Sequence, residues 1–427
     1  MNPSPKIDHD DVLRARTKLL ASAGPTRRER VEAYRVLARV SPATHLPRLV
    51  DALLSLSYEH GLRDSHPLRL ALCEEAVAAA RTIDPDAPDR ERILFRALLL
   101  CHRELYALGR RPEGLAVLAE MGAMERTWGR LSGASTVSAL HLWATALAEE
   151  GRHAEAADAL AEWVAAIRPQ RPDFDTLARI LAEWAATLAD AGRADEALAA
   201  FEVLVDLDAG EATDDRGPLA CHFYALVRYA ELLDGYGHAE RAAAARQSAL
   251  AALTELATVG ERATVRTGDQ AQFWATLLAW SAADGERLAS DGPYPPSGAG
   301  PRQWSADARQ RYFDRLVTLR EQLNILAEDP DRHLPESLRL HRVLTVRTVV
   351  QCEHSTYAFT AQLPQLHTLF DEGVELARRL DAHDPDAGGR ALAEVLIDRS
   401  TFRTATCRFD AALNDFREAL GLRGEDH

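Results

Sequence analysis

The sequence predicts an all-α fold built from antiparallel helix pairs, and three observations carry that prediction. Hydrophobic residues make up 47% of the 427-residue chain but aromatic residues only 6%, and alanine fills the gap. Alanine is the best helix former and the smallest core residue, so the composition favours closely packed helices over sheets. Ala/Leu/Arg/Glu segments with apolar residues at 3.6-residue spacing run through nearly the whole chain, whereas alternating Val/Ile/Thr segments are scarce. Breaks carrying glycine, proline or aspartate recur after about 12 to 18 residues, an ordinary helix length.

From the N-terminus, Asp10–Leu20 and Arg27–Val40 read as two helices joined by Gly24-Pro25. Val50–Asp84 fits a further pair if its turn is stretched across Gly61–Pro67. The clearest pattern then follows in two blocks that align without a gap: Leu140-His-Leu-Trp-Ala-Thr-Ala-Leu-Ala-Glu-Glu-Gly151-Arg-His-Ala-Glu-Ala156, and Leu181-Ala-Glu-Trp-Ala-Ala-Thr-Leu-Ala-Asp-Ala-Gly192-Arg-Ala-Asp-Glu-Ala197. Each sets an apolar helix before a glycine, then two or three polar or small residues, then an alanine that starts the packed face of a second helix. Glycine suits the turn because it reaches positive φ without a Cβ penalty. Alanine suits a tight crossing between the two helices.

The blocks resemble the tetratricopeptide repeat (TPR) family of helix-turn-helix units. Leu140, Trp143, Ala144, Leu147, Gly151, Ala156, Leu160 and Trp163 stand at patterned positions of one copy. Leu181, Trp184, Ala185, Leu188, Gly192, Ala197, Phe201 and Leu204 do so in the next. Tyr229, Ala230, Leu233, Gly237, Ala242 and Ala249 fit a third copy, and Cys101, Leu105, Gly109, Gly114 and Leu118 a poorer, earlier one. Phe409, Ala412, Phe416, Ala419 and Leu420 match a second helix near the C-terminus, although the first helix around Leu396 matches weakly. The turn glycines Gly109, Gly151, Gly192 and Gly237 are 42, 41 and 45 residues apart, against about 34 in the family. The surplus falls between repeats, in Arg168–Asp175 and Asp206–Pro218. The resemblance implies a right-handed α-solenoid of divergent TPR-like repeats.

The expected organisation is an N-terminal helical region with a degenerate repeat over 1–90, a repeat array over 91–283, and a C-terminal helical region over 305–427 that ends in a TPR-like pair. Between them, 284–304 holds Gly285, Gly292, Pro293, Pro295, Pro296, Gly298, Gly300 and Pro301, too many breakers for a helix. It reads as a linker or surface loop; the functional alternative is a segment that folds over a ligand groove. Asp329-Pro330 and Asp384-Pro385 mark further helix ends.

The net charge is −15, and the only lysines are Lys6 and Lys18, neither after a glycine-rich turn. That excludes a lysine-bearing phosphate loop and leaves almost no candidate for Schiff-base catalysis. Arginines are interleaved with acidic residues, and Arg27-Arg28-Glu29-Arg30 reads as an ion-paired helix face, so direct nucleic-acid binding is not expected. Cys73, Cys101, Cys221, Cys352 and Cys407 form no CxxC pair and read as buried, reduced thiols. No HExxH or zinc-finger spacing occurs, Cys352-Glu353-His354 would not converge on one ion, and Asp214-Asp215 sits in a loop-like stretch. No Gly-x-Ser-x-Gly elbow or dinucleotide turn appears. Neither a cofactor nor a metal is expected. Met1–Asp10 is polar, and no apolar run approaches the ~18 residues that cross a bilayer, so the expected location is cytoplasmic and no membrane partner is expected.

The resemblance also implies a working surface, since first helices of the family line a concave groove that holds peptides or partner helices. Carried over, those positions are Arg96, Arg103, His141, Thr145, Arg179, Glu183, Tyr224, Arg228 and Glu231. Four arginines there would reverse the overall sign locally, and a guanidinium fork holds a carboxylate through two hydrogen bonds. An acidic peptide or a free C-terminus is the expected ligand. Against this, Arg179/Glu183 and Arg228/Glu231 have the spacing of ordinary intrahelical pairs. The lysines and asparagines with which some family members clamp C-terminal carboxylates are absent, and Trp143, Trp163 and Trp184 read as core. The expected function is a non-enzymatic adaptor or scaffold that binds a protein or peptide. The alternatives are a domain that senses a ligand or signal peptide with a separate output protein, and an all-α enzyme with a site between the two helical parts.

Overall fold

The computed structural model describes residues 8–20, 24–62, 65–128, 138–170, 174–207, 216–259, 267–287, 294–329, 332–352 and 356–425. Among them are eighteen α-helices, two single-turn 3-10 segments and no strand. Two compact units emerge from the packing: Met1–Trp143 with Ser305–Asp307, and Ala144–Trp304 with Ala308–His427. Residues 144–304 and 308–427 therefore belong to one unit. Among the described residues no helix is long and apolar enough to cross a membrane.

In the first unit α1 (His9–Leu19), α2 (Arg27–Val40), α3 (Pro42–Ser57), α4 (His66–Arg81), α5 (Arg90–Ala107) and α6 (Arg111–Trp128) each pack on the next. The two helices read first from the sequence are α1 and α2, which share Val12, Ala15, Ala33 and Leu37. Thr26 and Glu29 close a capping box at the start of α2, so two otherwise unpaired amides are satisfied. The stretched turn expected between α3 and α4 contains a 3-10 turn at His60–Leu62. Glu125 of α6 accepts the backbone N–H groups of Ala139 and Leu140 and so caps α7 (Ala139–Glu149).

The second unit contains the remainder of α7, then α8 (His153–Ile167), α9 (Phe174–Asp190), α10 (Ala194–Val205), α11 (Gly217–Gly235), α12 (Ala239–Val259) and α13 (Thr267–Arg287). It continues through α14 (Ala306–Leu326), α15 (Leu334–Cys352), α16 (Thr356–His383), α17 (Pro385–Ala405) and α18 (Phe409–Leu422). Central to its core is α13, which packs on α9, α11, α15 and α17. Its Trp274 is buried against Phe370 and Phe402 and donates to the Thr401 hydroxyl at 2.9 Å.

One turn recurs between paired helices. Gly109, Gly151, Gly192 and Gly237 have φ of +70°, +74°, +74° and +81°. The next residue in each case donates its N–H to a carbonyl five residues back: Arg110 to Leu105, Arg152 to Leu147, Arg193 to Leu188, and His238 to Leu233, at 2.8–2.9 Å. This is the Schellman closure that satisfies the last carbonyls of a helix. Cys407, with φ +59°, takes the glycine's place between α17 and α18, and Arg408 donates to Arg403 in the same way at 2.8 Å. Five residues after each turn residue stands Gly114, Ala156, Ala197, Ala242 or Ala412. All four alanines are completely buried, and a Cβ on Gly114 would lie 2.7 Å from the Tyr106 ring. The small residue is thus what lets the paired helices approach. These five turns join successive antiparallel helix pairs in one common way.

Within 284–304 the structure departs from a surface linker. The helix α13 continues to Arg287, residues 288–293 lie outside the described residues, and Pro295–Ala299, Pro301 and Trp304 are buried.

Candidate binding surfaces

Sequence transfer placed nine residues on the inner, first-helix side of the pairs. In the first unit Arg96 and Arg103 are exposed on α5, and Arg96 pairs with Asp51 of α3 at 3.0 Å. His141 on α7 is buried. In the second unit Thr145, Glu183 and Tyr224 are buried, and Arg179, Arg228 and Glu231 are half-buried. The Thr145 hydroxyl donates to Glu183 at 3.3 Å, and Gln270 of α13 donates to the Tyr224 hydroxyl at 3.4 Å. Burial raises the Tyr224 phenol well above its ordinary range, so it stays neutral. A surface that meets a partner directly needs accessible side chains, and Thr145, Glu183 and Tyr224 instead tie helices together.

Arg228 and Glu231 do meet, at 2.7 Å, with the guanidinium 4.4 Å from the centre of the Trp280 ring on α13. They belong to a larger charged group that the sequence did not reveal. Arg342 on α15 holds both carboxylate oxygens of Asp398 on α17, at 2.6 and 3.2 Å, and the Ser281 hydroxyl of α13 at 3.1 Å. Burial alone would lower the Arg342 pKa; the carboxylates of Asp398, Glu231 and Glu394 together hold it raised. One helical turn before Asp398, Glu394 is exposed at its surface, and desolvation raises its carboxyl against the opposing charge of Arg342, with Asp398 and Glu231 adding to the rise. Glu231, Glu394 and Asp398 thus stand against Arg228 and Arg342, a mixed surface and not the basic one expected. Transfer from the repeats missed Arg342, Glu394 and Asp398 because α15 has no recognisable repeat pattern and α17 only a weak one.

A second polar group is enclosed. Arg347 of α15 and Glu286 of α13 form a buried pair at 2.8 Å. Arg347 also donates to the Tyr312 carbonyl, and the Tyr294 hydroxyl donates to Glu286. Beside this group lies a cavity of about 300 Å³, lined by Arg315, Leu319, Gln322, Arg339 and Val343 among others.

Within Tyr294–Trp304 the chain touches α9 at Gly298. Gly298, at φ +74°, lies so close that a Cβ there would sit 2.6 Å from the Ala186 Cβ, 2.8 Å from the Ala182 carbonyl oxygen and 2.9 Å from the Glu183 Cα. The indole N–H of Trp304 donates to the Ala299 carbonyl, and the Gly300 N–H to the Gln303 side chain, both at 2.9 Å.

Among the described residues no group of three or more His, Cys, Asp or Glu is placed to hold a metal. Cys73, Cys101, Cys221 and Cys352 are buried, and burial pushes the thiols of Cys73 to about 12 and of Cys101 and Cys352 to about 11. Such thiols remain protonated and are poor nucleophiles. Glu353, His354 and the Asp214-Asp215 pair lie outside the described residues.

No family model and no curated protein matches the sequence. A solved structure of nearly identical TPR-like repeats, assigned as a kinesin light chain of Podosopora anserina, aligns with 50% of this chain and 98% of its own, at 18% identity and a TM-score of 0.39.

Proposed function

For this chain of TPR-like helix pairs, we propose a role as a non-enzymatic scaffold that binds a protein or peptide, in the second unit through the charged surface shared by α11, α15 and α17. The convergence of exposed Glu394 and half-buried Arg228, Glu231 and Arg342 around the buried Asp398, from three separate helices, carries this reading. The arginines are already held by carboxylates, while Glu394 has no ion pair among the described residues. A ligand that brings a basic group to Glu394 gains a partner there, and a carboxylate ligand must compete with Asp398 or Glu231. A peptide of mixed charge suits this surface better than a purely acidic one. In the first unit, exposed Arg103 is the remaining candidate for an acidic ligand.

The test compares proteins captured from the native host by the wild-type chain, by Glu394→Arg and by the outer-helix control Arg417→Glu, identified by mass spectrometry. Loss of a specific partner with Glu394→Arg alone, at unchanged helical circular dichroism, supports the reading. Capture that is indifferent to Glu394→Arg removes this surface. Binding there weakens with added salt, because exposed charges are screened over about 8 Å at physiological ionic strength.

The cavity beside Arg347 favours a second reading, a sensor for a small molecule. It predicts a rise in melting temperature with some member of a metabolite library and loss of that rise in Val343→Trp.

A further inference from the structure

We infer that the Ala182–Ala186 face of α9 is a docking site for an extended, uncharged, proline- and glycine-rich segment, occupied in this structure by the chain's own Tyr294–Pro301, which a partner carrying a similar segment displaces. This rests on the reading of the chain as a peptide-binding scaffold and adds the chemistry of one partner.

The seat has definite steric limits. Ala182 and Ala186 are one helical turn apart and completely buried, and at Gly298 the segment's backbone lies directly on the helix between them. At the closest point only glycine fits: its φ of +74° disfavours side chains, and a Cβ would collide with α9 backbone. Such a contact selects a segment by the absence of a side chain.

The segment is built like a ligand. Tyr294-Pro-Pro-Ser-Gly-Ala-Gly-Pro301 contains no charge, lies in neither helix nor strand, and is nonetheless mostly buried. A buried chain outside regular structure must find partners for its backbone groups elsewhere; Trp304 and Gln303 supply two of them. It is pinned at both ends, by the Tyr294 hydroxyl on Glu286 and by the Trp304 ring 5.0 Å from that of Tyr312. The residues between carry only small or ring-closed side chains, and prolines reduce the freedom lost on ordering. Attachment within one chain gives an effective concentration of order millimolar. The seat therefore need not bind tightly to stay filled, and a partner of moderately higher affinity can displace the segment.

The test uses a fluorescent peptide of sequence Tyr294–Pro301 and the full chain, read by anisotropy. Gly298→Val evicts the internal segment, and the peptide is expected to bind this variant about tenfold or more tighter than wild type, because the competitor in the same chain is gone. Adding Ala186→Leu should abolish binding, and salt should leave it unchanged because the peptide is uncharged. Equal affinity for wild type and Gly298→Val, or no binding by a variant of native helicity, overturns the inference. A concentration-dependent dimer of Gly298→Val in place of peptide binding also overturns it, since the occupant is then a second copy.

If Gly298→Val fails to fold, the same peptide with benzoylphenylalanine in place of Ala299 is photo-crosslinked to the unmodified chain at millimolar concentration. Attachment within Leu181–Ala191 supports the site, and scattered or absent attachment overturns it. Loss of peptide binding while Glu394-dependent capture persists sinks this inference alone; loss of the Glu394-dependent capture strikes the broader reading.

Discussion

Arg347 on α15 and Glu286 on α13 meet as a fully buried fork, Nη2 to Oε2 at 2.8 Å and Nε to Oε1 at 3.1 Å. Burial would lower the arginine's pKa, but Glu286 more than offsets this, and the guanidinium also lies 4.2 Å from the centre of the Tyr312 ring. Removing one charge strands the other in a dry site. Arg347→Met is therefore expected to cost about 3–5 kcal/mol, and the double change Arg347→Met with Glu286→Leu distinctly less, since two apolar groups replace a compensated pair. Denaturant midpoints of the three chains check this. A double variant no more stable than Arg347→Met would show that the pair's net contribution, not the stranded charge, dominates.

Cys407 is the one non-glycine with positive φ among the described residues, and it stands where four other turns have glycine. A left-handed conformation costs a side chain about 1–2 kcal/mol. Cys407→Gly trades that strain against the loss of a half-buried thiol and the greater freedom of glycine when unfolded, so a gain of up to about 1 kcal/mol is expected. Gly192→Ala, the opposite change at an equivalent turn, should lose about 1 kcal/mol. Thermal melts of the two variants should shift in opposite directions, and a shared direction would mean the turns are not equivalent.

The turns were legible because their causes are local: a glycine at the end of an apolar helix and a small residue five positions on need no knowledge of distant contacts. The Arg228/Glu231 pair was legible for the same reason, since i,i+3 spacing on one helix brings the two side chains together. What covers those positions was not. Glu183 is buried on the very helix where Gly298 rests, and nothing in a glycine- and proline-rich stretch announces that it will lie on α9 and not in solvent. On α15 the periodic signal is lost because nearly every side is buried, Arg347 and Thr345 included. Arg342 and its partner Asp398 therefore had no pattern from which to be read.

His102 makes the first unit sensitive to acid. Burial, with Arg103 adding to it, pushes its imidazole down to about 4, and its Nδ1 has no hydrogen-bond partner among the described residues. The unfolded chain, with a histidine near 6.5, binds the proton more readily than the folded one. Stability from this residue is fully present above pH ~6.5 and is lost as pH falls through that window to about 4, where it amounts to about 3 kcal/mol. His102→Leu should flatten the fall measured by urea titration between these two pH values. An unchanged slope would assign the sensitivity to other groups.

Arg246 on α12 holds Glu425, just beyond α18, through two bonds at 2.5 and 2.6 Å, and Asp234 of α11 at 2.7 Å. Arg423 adds a bond to Asp234 at 3.2 Å. The last helix pair is thereby clasped to α11 and α12. With Arg246 only 5% exposed, loss of one carboxylate leaves its charge partly uncompensated. Glu425→Ala is expected to cost about 1.5–3 kcal/mol, the range for hydrogen bonds to charged groups. Because the loss is confined to the clasp, hydrogen exchange should quicken in α18 and α12 while α2 and α3 of the other unit keep their protection. Equal quickening in both units would mean that the clasp stabilises the whole chain and not this one junction.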